Sequence, residues 1–509
     1  MSSGLFDNLV TGFATALSPE NLLFGVAGVL LGTMVGILPG LGPAVAISLL
    51  LPITFGLDPV SAFIMFGGIY YGAMYGGATT AILVNTPGSA SAAVTTFDGH
   101  PMAKQGRAGT ALIAAIIGSF IGGTFATIML MLVAPGLVEI ALKFGPPEYF
   151  GLMLLALILV ASVGNSTFLK GAFATFLGIG IGLIGIDLQT GEPRLTFGIP
   201  ELYSGVNIVL AAIGLFAVGE AFWIASARSP AKKAEHASGG KSKLSMEKPE
   251  WIRSAIAWVR GTVVGFFVGI LPGSGGTLAS FMSYGIEKRF SKHPEKFGKG
   301  VVEGVAAPEA SNNSAAGGSL VPLLALGIPG SATTAVMLVA FQMYGLQPGP
   351  LLFENSGDLV WALIASLYIT NILLVVINLP LVRVWARLLE LPAALIYAVV
   401  LVFSTIGAFS LRGSIWDVGI IYALGALAFI MRKFHFPTAP ILLGILLGPL
   451  IEQEFRRSLS ISAGDYSIFF TRIGSLLLLI VCAFLIIGSI VGARKKINMM
   501  SVAQTAVAD

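Results

Sequence analysis

Between Ala310 and Phe353 the chain carries no Asp, Glu, Lys or Arg. The same stretch nevertheless holds Ser311, Asn312, Asn313, Ser314, Ser319, Ser331, Thr333 and Thr334, and it is broken by Pro322 and Pro329. A charge-free run of this length has the profile of membrane-buried sequence. Lipid offers no hydrogen bonds to an interrupted backbone, so such a segment must be shielded by protein or line a wet cavity. Composition agrees: 55% of the 509 residues are hydrophobic and 11% charged, against about a quarter charged in soluble proteins. The fold class this implies is an all-α polytopic membrane protein with broken helices or re-entrant hairpins. At ~20 residues per crossing, the apolar runs leave room for about 11–12 membrane-spanning segments.

The broken pattern occurs twice. VGILPGLGP at 35–43 returns as VGILPGSGG at 268–276, and LVNTPGSAS at 83–91 returns as LGIPGSATT at 326–334, aligned on Pro87 and Pro329. The two motifs are spaced alike in each half, which reads as an internal duplication. Paired Gly/Pro-interrupted hydrophobic segments in two halves point to the binding site of a secondary transporter. The expected organisation is a first membrane repeat over 20–227, a cytoplasmic basic linker over 228–253, a second membrane repeat over 254–493 and a cytoplasmic tail over 494–509. The linker holds seven Lys/Arg against three Glu, so it is expected to be disordered and, by the positive-inside rule, cytoplasmic. Lys104/Arg107, Lys170, 287–299, Arg383/Arg387, Arg432/Lys433 and 494–496 fall on the same side, with 139–148, 187–201, 354–358 and 452–466 outside. The first motif region then exits inside near Asp98 and the second outside near Glu354. Opposite exits imply an inverted repeat.

In LVNTPGSAS, Pro87 cannot donate a backbone bond and Gly88 permits unusual dihedrals, so a helix ends or restarts there. A restarted helix presents free N–H groups and a partial positive charge that suit a carboxylate. Asn85, Thr86, Ser89 and Ser91 add polar side chains. Pro329, Gly330, Ser331, Ala332, Thr333 and Thr334 offer the same chemistry from the other half. Two such tips facing one another would hold a small polycarboxylate, whereas a lone PG pair is more often a kink or a loop turn. The VGILPG motifs supply mainly backbone groups through Gly40, Gly42, Gly273, Ser274 and Gly275, which suits either a cation site or a tight hairpin. Glu309, beside Asn312 and Asn313, is either a carboxylate that neutralises a coupling cation or a helix cap at an interface. Tyr70, Tyr71 and Tyr75 read as packing or interface residues rather than ligands, and Asp187 with Arg194 as a structured outer turn or a contact for an extracytoplasmic partner. With Cys482 as the sole cysteine and no HExxH, no transition-metal centre is expected. Na⁺ at the coupling-ion positions is the one metal foreseen, and no cofactor. The basic residues cluster in short loops, which gives no nucleic-acid signal.

Across these same residues the chain resembles the large membrane subunit of the bacterial tripartite tricarboxylate transporters. The matching pieces are GTMVGILPGLGPAVAISLLLPITFGLDP, the stretch GGIYYGAMYGGATTAILVNTPGSASAAVTTFDGHPMAKQGRAG, FGPPEYFGLMLL, GIDLQTGEPRLTFG and APEASNNSAAGGSLVPLLALGIPGSATTAVML. The resemblance implies a permease of the bacterial cytoplasmic (inner) membrane that takes up carboxylates on a Na⁺ or H⁺ gradient. It implies two partners, a small membrane subunit and a periplasmic solute-binding protein, and an elevator-like movement. No GxxxxGK[ST] occurs, so energy would come from coupled ion binding that shifts a conformational equilibrium. The competing reading is a stand-alone organic-anion channel or facilitator without ion coupling. An intramembrane enzyme would need matched catalytic groups inside the spans, which hold almost no Asp and no His, so no enzymatic activity is expected.

Overall fold

Helix Pro19–Ile37 carries Gly28, Gly32 and Gly36 at intervals of four, one stripe along a single face. A methyl group built at each would lie 2.4, 2.4 and 2.3 Å from the carbonyl oxygens of Met65, Ile69 and Ala73 in helix Pro59–Val84. The two backbones therefore touch, as small-xxx-small stripes allow in membranes. The second half repeats the device. Methyls built on Gly261, Gly265 and Gly269 of helix Lys248–Ile270 would lie 2.2, 2.1 and 2.5 Å from the carbonyl oxygens of Ala307, Ser311 and Ala315 in helix Glu303–Gly318. The glycines of the two seams are offset by a constant 233 positions (28 to 261, 32 to 265, 36 to 269) and their partners by 242 (65 to 307, 69 to 311, 73 to 315). The duplication read from four short motifs thus extends over whole helix pairs.

The computed structural model describes residues 2–38, 40–162, 168–187, 190–226, 245–273, 275–388 and 393–489. Ser274, one of the candidate coupling-ion residues, and most of the expected linker lie outside them. Residues 248–253, expected in the linker, instead form the first turns of helix Lys248–Ile270. Pro249 suits the first turn, and the Glu250 carboxylate accepts the N–H of Glu247 at 3.1 Å. Among the described residues, seven helices are long and apolar enough to cross a membrane, and five more apolar helices are shorter. The protein is an all-α polytopic membrane protein.

The chain divides into two compact units, 1–139 with 212–429 and 140–211 with 430–509, each built from pieces of both expected repeats. The first contains both glycine seams and both PG tips. In the second, helix Phe168–Gly182 packs on helix Ala439–Ile461 through Gly178, Gly182 and Gly444, where added methyls would meet backbone carbonyls at 2.2–2.4 Å. The second unit also holds a two-stranded antiparallel ribbon, Gly185–Ile186 with Pro193–Arg194.

Within the first unit, Asp98 of helix Thr95–Lys104 is fully buried and fastens residues 298–301. Its carboxylate accepts the N–H of Gly298 at 2.9 Å, of Gly300 at 2.8 Å and of Val301 at 3.0 Å, and the Tyr284 hydroxyl at 2.9 Å. Replacing Asp98 with Ala leaves three backbone donors without an acceptor. The expected loss is on the order of 3–5 kcal/mol, read as a lower melting temperature of the detergent-solubilised protein. An unchanged melting temperature would show that the clamp is idle.

Candidate functional site

Ahead of each tip a helix ends on a residue in the left-handed region, the seam helix itself in the first half and the short helix after it in the second. The cap is Asn85 (φ 57°) after helix Pro59–Val84 and Gly327 (φ 71°) after helix Leu320–Leu326, and these positions are again 242 apart. Asn85 is exposed and serves as this cap, and Thr86 is exposed and donates to the Val84 carbonyl at 3.3 Å. The chain then turns inward. Gly88 and Gly330 are buried against the other seam helix of their own half, Gly88 beneath the Gly36 carbonyl and Gly330 beneath that of Gly269.

The two restarts differ. After Ser89 the chain makes one 3₁₀ turn, Ala90–Ala93, which runs into helix Thr95–Lys104. Ser331 instead caps a twelve-residue helix, Ala332–Met343. The Thr334 N–H donates to Ser331 Oγ at 3.2 Å, and the Ser331 N–H donates back to Thr334 Oγ1 at 2.8 Å. The N–H groups of Ala332 and Thr333, in the first turn, have no intrahelical acceptor. The structure therefore provides the expected helix N-terminus at the second tip and a weaker version at the first.

The VGILPG motifs are turns between consecutive helices, with Gly40 at φ 85° and Gly273 at φ 81°. Each abuts the tip of its own half: the Gly273 N–H donates to the Gly330 carbonyl at 3.0 Å. A methyl on Gly42 would lie 3.9 Å from Ser89 Cβ, and one on Gly275 would lie 3.8 Å from Ser331 Cβ.

Both tips converge on the middle of helix Pro59–Val84. The Tyr70 hydroxyl lies 3.2 Å from Ser331 Oγ of the second tip and 3.1 Å from Ser319 Oγ. One turn on, the Met74 sulfur lies 3.9 Å from Ser91 Oγ of the first tip, where Ser91 also pairs with Ser89 at 2.9 Å. Residues four apart on a helix differ by about 6 Å along its axis, so the tips meet the helix about one turn apart. Tyr70, expected as a packing or interface residue, is buried and also hydrogen-bonds the second tip. Its repeat equivalent is Asn312, and that of Tyr71 is Asn313 (70 to 312, 71 to 313), so the two halves place different polar pairs at one position.

Glu309 lies in the middle of helix Glu303–Gly318 and is wholly buried. The helix-cap reading is therefore excluded. Thr95, just past the first tip, donates to its carboxylate, and Asn312 Nδ2 donates at 3.2 Å. Asn313 Nδ2 donates to Ser119 Oγ at 2.8 Å and to Asn312 Oδ1 at 2.6 Å. Within this chain Asn313 Oδ1 is buried with no hydrogen-bond partner. Native interiors rarely tolerate such an orphan, and an amide oxygen left over near a carboxylate is the donor type that hard cations take.

One acidic residue escaped the sequence reading. Glu220 is the one charged residue of helix Ile208–Ser226, two residues beyond a π-helical stretch, Ile213–Val218. A methyl on Gly40 would lie 2.8 Å from its Oε1, which puts the carboxylate beside the first VGILPG turn. Its signal was present in the sequence as a lone acid in an apolar span, the kind that is costly unless functional.

Residues 22–443 match the family described as "Tripartite tricarboxylate transporter TctA family". The chain is 44% identical over 495 residues, 97% of its own length and 98% of the relative's, to the Agrobacterium vitis "Uncharacterized 52.8 kDa protein in TAR-I ttuC' 3'region". A second Agrobacterium vitis protein, "Uncharacterized protein in TAR-II ttuC' 3'region", is 43% identical over 208 residues, covering 41% of this chain and 86% of the relative. No solved structure matches. Matched over most of its length and carrying the apolar helices of a multi-pass inner-membrane protein, the chain belongs to the tripartite tricarboxylate transporter TctA family.

Proposed function

We propose that this permease carries out secondary active uptake of a carboxylate, with the substrate held between the tips at Ser89/Ser91 and Ser331/Thr333. The observation that carries the reading is the convergence of both tips on Tyr70 and Met74 of one helix. Helix N-terminal N–H groups and hydroxyls recognise carboxylates without needing a full positive charge. Glu309, with Asn312 and Asn313 and the latter's unpartnered amide oxygen, is the proposed site of the coupling ion, Na⁺ or H⁺. The glycine turns at Gly40, Gly42, Gly273 and Gly275 support the tips in this scheme and need not bind the ion themselves. An inverted arrangement of the repeats, an elevator-like movement of the tip-bearing unit, a small membrane subunit and a periplasmic binding protein belong to the same proposal. The carboxylate can be a tricarboxylate, a dicarboxylate or a related acid.

The test is uptake by proteoliposomes that contain the permease and its partners. Replacing Ser331 with Ala removes the helix cap and the Tyr70 contact together, costing about 1 kcal/mol of capping alone. Uptake should fall at least tenfold in Ser331→Ala and less in Ser89→Ala, whose restart is a single 3₁₀ turn. Wild-type transport in both variants would remove the tips from the mechanism. Accumulation against a gradient that disappears with the cation gradient separates a coupled carrier from a channel.

A further inference from the structure

Ile186, Asp187 and Arg194 of the motif GIDLQTGEPRLTFG, unused by the tips, line a cavity in the second unit with a volume of about 460 Å³. Its charged lining is Asp187 and Arg194 from the ribbon and Glu452, Arg456 and Arg457 from helix Ala439–Ile461. Four of these form an alternating ring. Arg194 Nη1 lies 2.8 Å from Glu452 and 3.5 Å from Asp187, while Arg456 Nη2 pairs with Asp187 at 3.1 Å and also with Glu452. The ring is held in place by its backbone. Arg194 is in register opposite Gly185, and the Asp187 carbonyl and carboxylate accept the N–H groups of Gly191 at 2.8 Å and Thr190 at 3.3 Å.

A bland ion-pair ring would use its guanidinium donors up, and this one does not. Arg194 makes its ion pairs through Nη1, while its Nε is buried with no hydrogen-bond partner. The Nε/Nη2 edge of a guanidinium is the geometry that takes a carboxylate through two parallel bonds. Arg457 adds a third cation to the lining, and its own partner, Glu454, does not line the cavity. With three arginines against two acids, the lining carries one net positive charge.

We propose that this cavity is a second binding site for a small organic acid, its carboxylate taken by Arg194 with Arg457 alongside. The choice of ligand rests on the carboxylate-transport reading, and the site itself is separate from the tips. Its place in an expected outer loop suits capture of the acid before transport.

Equilibrium binding of radiolabelled citrate and of succinate to the full chain in nanodiscs tests the proposal. Two classes of site are expected. Arg194→Lys keeps a positive charge for Asp187 and Glu452 but lacks the planar fork, and Arg457→Gln changes a half-exposed side chain. Each should weaken one class by about tenfold or more, the loss of one charge-assisted pair, and leave the other class unchanged. Ser331→Ala should do the converse. If both arginine variants bind as the wild type does, or neither acid binds at millimolar concentration, the second site does not exist. If the arginine variants act and Ser331→Ala does not, the cavity stands and the tip assignment falls.

Discussion

Gly88→Ala is expected to abolish uptake and to lower the melting temperature of the permease by the largest margin of any single methyl addition at the tips. The new carbon would sit 1.9 Å from the Gly36 carbonyl oxygen and 2.8 Å from the Gly77 Cα, both backbone atoms. Neither can swing aside as a side chain would. Gly36 is itself pinned, because its own added methyl would lie 2.3 Å from the Ala73 carbonyl oxygen. Relief therefore requires the first tip to leave its seat or the seam to open. Overpacking of a rigid interior typically costs about 1–3 kcal/mol, and backbone on both sides puts this case at or above the upper end. Gly330→Ala meets Ser319 Cβ at 2.8 Å and the Gly269 carbonyl at 3.0 Å, a milder clash, and should lose less. Gly136→Ala and Gly285→Ala, with nothing within 4 Å, should match the parent protein in both assays. Paired thermal melts and uptake rates decide the matter, and a Gly88→Ala protein that transports normally would mean the tip is not seated as described.

That ranking could not have been drawn from the sequence. PG with hydroxyls around it identified where helices break, because proline and glycine act on their own backbone. Apolar runs likewise marked membrane spans, among them helices Ile208–Ser226 and Ala108–Ala141. Contacts made between elements left no such trace. Gly28 and Gly261 gain meaning only from the carbonyls opposite them. Tyr70 looked like packing because a hydroxyl in an aromatic, apolar stretch does not reveal which serine it will reach across more than two hundred residues. The clamp at Asp98 was invisible for the same reason, its partners being backbone N–H groups that every residue but proline carries. The contrast between a 3₁₀ restart at Ala90 and an α-helical one at Ala332 was also beyond reach, since the two tips share their motif and diverge only in the chain beyond it.

Glu309→Gln should uncouple the carrier while leaving it folded. Glutamine keeps the volume of the side chain, and its carbonyl can still accept from Thr95, so the fold loses at most the Asn312 hydrogen bond, about 1 kcal/mol. What it cannot replace is the negative charge. At an effective dielectric near 20, a unit pair 4 Å apart attracts by about 4 kcal/mol. A cation held at Glu309 should then lose roughly two to three orders of magnitude in affinity. Uphill accumulation in proteoliposomes should collapse with it, while exchange of labelled for unlabelled substrate, which needs only the tips and the movement, should persist. Glu309→Ala would blur this outcome by adding a cavity and stranding the Thr95 hydroxyl, so the isosteric variant is the sharper instrument. Accumulation by Glu309→Gln at the parent rate, with the same dependence on the cation gradient, would move the ion elsewhere. Glu220, the carboxylate beside the Gly40 turn, would be the next residue to neutralise.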